Sequence, residues 1–248
     1  MDGAIELRSV VKRYGAKVAV RSLTLSVPFG ELFAFIGPNG AGKTTTIKLI
    51  AGLLVADEGE VVVCGRHMGA DGELAKRQIA YVPDQPFLYD KLTGREFLYF
   101  AAEMYGVPRP LRDERLADLA RRFEMDPFLD QLTESYSHGM KQKVVLAAAL
   151  LHEPRVLVID EPMVGLDPRT VRQVKDLFVE HTRRGAAVFL STHTLEMAEA
   201  MADRIGIINH GELIAVGTLE QLRGGASRES LEGIFLQLTD GREPNHVG

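Results

Sequence analysis

The chain has 248 residues, enough to bury a sizeable core without disulfides or structural metals, which excludes a stapled mini-protein. Hydrophobic residues at 46% and charged residues at 25% exclude a disordered, collagenous or low-complexity chain. A formal charge of −5 supplies no global positive field for nucleic acid, and a lone cysteine, Cys64, fits a reducing compartment without disulfides.

The N-terminal MDGAIELRSV has early acids and no apolar core of the kind a signal peptide carries. AIELRSVVKRY (4–14) and KVAVRSLTLSV (17–27) are β-branched runs of alternating character with Gly15 between them, which predicts an antiparallel hairpin. Pro28-Phe29-Gly30 turns the chain into ELFAFIG, a buried strand. A glycine-rich loop over 37–44 follows, then a helix expected over 45–54 and a short strand VVVC (61–64). From about Thr93 the texture turns helical. REFLYFAAEMYGV places Phe97, Leu98, Ala101, Met104 and Tyr105 on one face, and LRDERLADLARRF places Leu116, Leu119, Ala120 and Phe123 likewise. The run 144–151 (VVLAAALL) is apolar all round but too short to span a bilayer; at a membrane, another chain would supply the span. VLVID (156–160) and AAVFLST (186–192) lack alternation, as strands buried on both faces do. IGIIN and ELIAVG, joined by His210-Gly211, predict a hairpin, and SLEGIFLQL a last helix before the polar tail GREPNHVG.

Gly37-Pro38-Asn39-Gly40-Ala41-Gly42-Lys43-Thr44, continued by Thr45, fits G-x-x-x-x-G-K-[ST] between a strand and a helix. The glycines let backbone N–H groups converge on phosphate oxygens, and the helix N-terminus adds partial positive charge. Lys43 reaches the terminal phosphates and the Thr44 hydroxyl ligates Mg²⁺. The strand VLVID ends in Asp160-Glu161-Pro162. An acid at the carboxyl end of a parallel strand beside a phosphate loop sits where Mg²⁺ must be held, which assigns Asp160 to the metal. Glu161, next along, would face the terminal phosphate and polarise the attacking water.

On these motifs the sequence resembles the nucleotide-binding subunits of ATP-binding cassette transporters, from about residue 5 to about residue 240. Their signature segment, usually LSGGQ, reads Tyr136-Ser137-His138-Gly139-Met140 here; Ser and the second Gly match, while Leu, the first Gly and Gln do not. The resemblance implies that Ser137 and Gly139 act in trans on ATP held by a second cassette. It also implies that His193 contacts the terminal phosphate and that Tyr14 in VKRYG stacks on adenine, against the plainer reading of an edge-strand tyrosine. Asp167 reads equally as a subunit contact or as an Asp-Pro turn with Pro168. Where the family usually has Gln directly after the strand IAYVP, this chain has Asp84, with Gln85 one later. Gln85 is assigned to the metal, with Asp84 as its rival. Pro86-Phe87-Leu88-Tyr89 is the candidate surface for the membrane subunit, or else ordinary loop packing.

The fold so implied is an α/β phosphate-loop NTPase with a mostly parallel core sheet, an antiparallel β subdomain and an inserted helical subdomain. Residues 1–90 and 146–225 would form the catalytic core, 91–145 the helical subdomain and 226–248 a C-terminal helix and tail. The implied function is an ATPase using ATP and Mg²⁺, with Lys43, Glu161 and His193 catalytic. It would pair head-to-tail with a second cassette and drive a separate membrane permease from the cytoplasmic face of the membrane. The Tyr-Ser-x-Gly-Met signature and short C-terminus resemble bacterial exporters. The competing class, a soluble cassette ATPase acting on nucleic acid or ribosomes, typically adds zinc pairs, long heptad arms or a second cassette, none of which this sequence has. A small-molecule kinase would have no use for Ser137, Gly139 or His193.

Overall fold

The computed structural model describes residues 3–163, 165–224 and 230–240. Strands β1 (Ile5–Tyr14) and β2 (Lys17–Val27) form the expected antiparallel pair, and β3 (Leu32–Ile36) is buried throughout. Helix α1 (Lys43–Ile50) follows, then β4 (Glu58–Val63), β5 (Arg66–His67) and the short α2 (Gly72–Lys76). After β6 (Ile79–Val82) come α3 (Gly94–Met104), α4 (Arg109–Arg122), a 3₁₀ turn at Thr133–Ser135 and α5 (His138–Leu151). The chain then alternates through β7 (Val156–Asp160), α6 (Pro168–Arg183), β8 (Ala187–Thr192), α7 (Leu195–Met201), β9 (Arg204–Asn209) and β10 (Glu212–Gly217). It ends in α8 (Leu219–Leu222) and α9 (Leu231–Asp240).

Two sheets organise these elements. One is antiparallel, in the order β2-β1-β4-β5; the other runs β10-β9-β3-β8-β7-β6 and is parallel except for the edge strand β10. The central strands are apolar on both faces because both are covered. Phe33, Phe35, Val156, Val158 and Phe189 pack toward α1 and the antiparallel sheet, where Phe189 lies 5.5 Å from Phe33 and 5.4 Å from Phe35 between ring centroids. Their neighbours Leu32, Leu157, Ile159, Val188 and Leu190 point the other way, into a core shared with α4, α5 and α6. Every parallel strand therefore ends at the same edge. The chain leaves β3, β6, β7 and β8 there, which gathers four sequence-distant segments into one crevice.

Several local expectations are corrected. The helix expected over 45–54 starts two residues earlier and stops at Ile50. The strand around VVVC reaches back to Glu58, and Cys64 leaves it in a left-handed turn with φ 51°. On α3 the buried stripe is Gly94, Leu98 and Ala102, one helical turn apart. Met104 and Tyr105, expected on the inner face, are exposed, because that helix is apolar over more of its circumference than it buries. The predicted stripe of α4 holds, with Leu116, Leu119, Ala120 and Phe123 all buried. Sequence reading missed α6 altogether: Thr170, Val174, Phe178 and Thr182 are its buried residues, Leu177 packs beside them, and charged residues fill much of the rest. The tail 241–248 lies outside the described residues.

Candidate functional site

The loop after β3 has a shape that only glycine permits at two points. A Cβ on Gly37 would stand 2.3 Å from the Ile208 carbonyl oxygen, and one on Gly42, already at φ 112°, would stand 2.6 Å from that of Ala19. Ala41 is fixed on both sides, its N–H donating to the Pro38 carbonyl at 3.2 Å and its carbonyl accepting from Gly211 N–H at 2.8 Å. The Thr46 hydroxyl donates back to the Gly42 carbonyl at 3.0 Å. Helix α1 then opens at Lys43 without a side-chain cap, so the N–H groups of its first turn have no helical acceptor. Lys43 itself is buried, and its Nζ donates to the carbonyls of Gly37 at 2.6 Å and Pro38 at 3.2 Å. Burial lowers its pKa, opposed by the nearby charges of Glu161 and Asp160.

Across the crevice, Asp160 closes β7 with 2% exposure. Its Oδ1 accepts a hydrogen bond from Ser191 Oγ on the adjacent strand β8, while its Oδ2 is buried with no partner among the described residues. An unpartnered buried carboxylate oxygen is costly unless something positive sits against it. Together with Thr44, which lines the same cavity, it offers oxygen donors that suit a hard cation such as Mg²⁺, leaving other positions for phosphate and water. Burial, reinforced by the negative charges of Asp160 and Asp84, pushes Tyr81 up to about 12. Glu161 follows in the left-handed region at φ 50°, its N–H donating to the Ser191 carbonyl at 3.2 Å. Its Oε1 lies 2.8 Å from Nδ1 of His193, which is largely exposed just beyond β8.

These groups line one cavity of about 380 Å³. Asn39, Gly40, Gly42, Lys43, Thr44 and Thr45 form one wall, Asp160, Glu161 and His193 another, and the half-exposed Tyr14 stands at its rim with Lys17 and Ala19. Gly37, Pro38 and Ala41 lie behind the wall and brace it. Asp84, one residue beyond the end of IAYVP, also lines this cavity, whereas Gln85 lines a neighbouring one of about 540 Å³ with His138 and Lys141. Ser137 and Gly139 are not brought to the phosphate loop of their own chain. Ser137 is exposed and caps α5, its Oγ accepting from Met140 N–H at 3.3 Å. Tyr136 beneath it is buried, its hydroxyl donating to the Phe128 carbonyl at 2.7 Å and accepting from Gly94 N–H at 3.1 Å. Asp167 caps α6, accepting from the N–H groups of Arg169 and Thr170, each at 3.0 Å, and from the Thr170 hydroxyl at 2.6 Å.

Leu88 alone of the 86–89 stretch is deeply buried. Phe87 and Tyr89 are 70% and 47% exposed, in edge-to-face contact at 5.6 Å, and Tyr89 meets the exposed Phe100 at 5.7 Å. Sequence reading did not single out Lys17, Ala19, Tyr81 or Ser191. Only Ser191, a hydroxyl near the end of an otherwise apolar strand, left a local signal. Among the described residues no helix is long and apolar enough to cross a membrane.

Residues 20–164 match a family model described as ABC transporter. The chain is 37% identical over 218 residues to the linearmycin resistance ATP-binding protein LnrL of Bacillus subtilis (strain 168), covering 88% of this chain and 70% of that one. It superposes on a solved ATP-binding subunit of an ABC transporter with a TM-score of 0.91 and 37% identity, covering 95% of this chain and 99% of the other. A second solved structure, a dimeric ATP-binding cassette in a post-hydrolysis state bound to ADP and Pi, matches with a TM-score of 0.79 and 26% identity over 87% and 98% of the two chains.

Proposed function

The chain belongs to the ABC transporter family as an ATP-binding, ATP-hydrolysing cassette, and from that premise we propose that it pairs head-to-tail with a second cassette around two ATP and drives export through a separate membrane permease. The single observation that carries this reading is the crevice where Lys43, Asp160, Glu161 and His193 meet.

In this reading the N–H groups of the loop and of the first turn of α1 bind the phosphates, Lys43 leaves the Gly37 and Pro38 carbonyls for the terminal phosphate, and Tyr14 stacks on the adenine. Thr44 and Asp160 hold Mg²⁺, which supplies neutralising charge against the β- and γ-phosphates. Asp84, which lines this cavity where Gln85 does not, takes the role expected of the glutamine. Glu161, oriented by His193, accepts a hydrogen bond from the attacking water. The oxygen of that water bonds to the γ-phosphorus, the bond to the β–γ bridging oxygen breaks, and ADP and phosphate leave. Ser137, exposed, and Gly139, partly buried beside it, do not line the cavity of their own loop and serve the ATP of the partner. Residues 1–90 and 146–225 act as the catalytic core, 91–145 as the helical subdomain and 226–248 as a C-terminal addition.

The exposed Phe87, Tyr89 and Phe100 form the surface that receives the permease, which places the chain on the cytoplasmic face of a membrane. The resistance named for LnrL supports export. The test is capture of a tagged Glu161→Gln chain with ATP from detergent-solubilised membranes and, separately, from cytosol. A multi-span protein recovered from the membrane sample alone is the expected result. Ribosomes, DNA or soluble factors without a membrane protein would overturn the transporter reading.

A further inference from the structure

Gln142 lies on α5 just past the signature segment and is 1% exposed. Its Nε2 donates to the Pro162 carbonyl at 3.1 Å, while its Oε1 is buried with no partner among the described residues. A buried amide that satisfies its donor and orphans its acceptor is a poor device for stability, since an apolar side chain of the same volume avoids the desolvation cost. What the amide grips is more telling. Pro162 directly follows Glu161, whose φ of 50° is a conformation that a non-glycine residue holds only when its surroundings impose it.

Those surroundings are few and specific. On one side Glu161 N–H is tied to β8 through the Ser191 carbonyl at 3.2 Å. On the other, the segment beyond it lies against the first turns of α5. A Cβ on Gly165 would come within 2.4 Å of the His138 ring, and one on Gly139 within 3.2 Å of the Gly165 carbonyl oxygen. The Gln142 hydrogen bond is a buried polar link between that helix and the turn carrying Glu161.

We propose that Gln142 is a positioning residue for ATP hydrolysis, setting the Glu161 carboxylate according to the position of α5, the helix that carries Ser137 and Gly139. The proposal rests on the reading of Glu161 as the group that orients the attacking water. It makes hydrolysis depend on where α5 stands while leaving nucleotide binding, which occurs on α1 and its loop, independent of it.

The test is Gln142→Met, which keeps the volume and removes both polar atoms, with Gln142→Leu, which also removes them in a shorter side chain, as a second variant. Each is expected to lower kcat about tenfold or more, the scale of a misplaced reacting group, with KM for ATP and the affinity for a fluorescent ATP analogue within about twofold of the parent. A kcat within about twofold of the parent in either folded variant would overturn the proposal, as would a loss of ATP affinity in step with kcat. Glu161→Gln, measured beside them, separates the two ideas. If it hydrolyses at the parental rate, the reading of Glu161 fails; if it is inactive while Gln142→Met is normal, only the role of Gln142 fails.

Discussion

Lys43 and Asp160 face each other across the crevice with different needs. The lysine has a temporary answer to its charge in the carbonyls of its own loop, whereas one oxygen of the aspartate has none. Both were legible in the sequence because each sits at a fixed offset from a strand end. Gln142 was not, and Ser191 only faintly, since their partners Pro162 and Asp160 lie 20 and 31 residues away and only folding brings them into contact. A different buried group makes a test at this scale. The His152 ring stacks on Tyr105 at 3.6 Å, with both its nitrogens shut away from solvent. Burial, against the smaller pull of the Ile79 carbonyl, lowers its pKa from 6.5 to about 4. The folded state thus holds His152 neutral over a range in which the unfolded chain takes up a proton. Stability is complete above about pH 7 and falls as the pH drops from 6.5 toward 4, by up to about 3 kcal/mol from this group. His181 shifts in the same direction, also through burial. In urea titrations His152→Phe, which keeps the stack, is expected to gain stability over the parent as the pH falls from 7 to 4.5. A difference that does not change with pH would contradict this.

At the level of elements, sequence pattern read best where an element is buried on both faces or bounded by strong punctuation. The runs that became β3, β7 and β8 carry apolar residues on successive positions because helices cover one face and a second sheet the other. α6 was legible but passed over: Val171, Val174, Leu177 and Phe178 recur at helical spacing among charged residues, and Asp167-Pro168 announces its start. Asp167 caps α6, a role that neither a subunit contact nor a plain Asp-Pro turn had named, and the Thr170 hydroxyl holds its carboxyl below the usual range. Asp167→Ala should lower the stability of the isolated chain by about 1 kcal/mol, and Asp167→Ser by clearly less, since serine also caps. Equal losses in chemical denaturation would show that the cap is not what Asp167 contributes.

For the whole molecule, the arrangement of layers decides the chemistry. A parallel sheet held between helices and a second, antiparallel sheet delivers a phosphate loop, an acidic turn and a histidine to one edge. The same layering leaves Phe87, Tyr89 and Phe100 exposed on another surface. Motif spacing foretold that convergence; the distribution of exposure over the helical segment was beyond it, because Met104, Phe100 and Leu98 are equally apolar as letters. In the proposed mechanism Glu161, held by His193 just beyond β7, orients the water that attacks ATP. The direct measurement is ATP binding and steady-state hydrolysis by Glu161→Gln beside the parent chain. Expected are an ATP affinity within about threefold of the parent and a rate lower by about 100-fold or more, with an ATP-dependent dimer by light scattering. Hydrolysis at the parental rate from a monomer that binds ATP would contradict it.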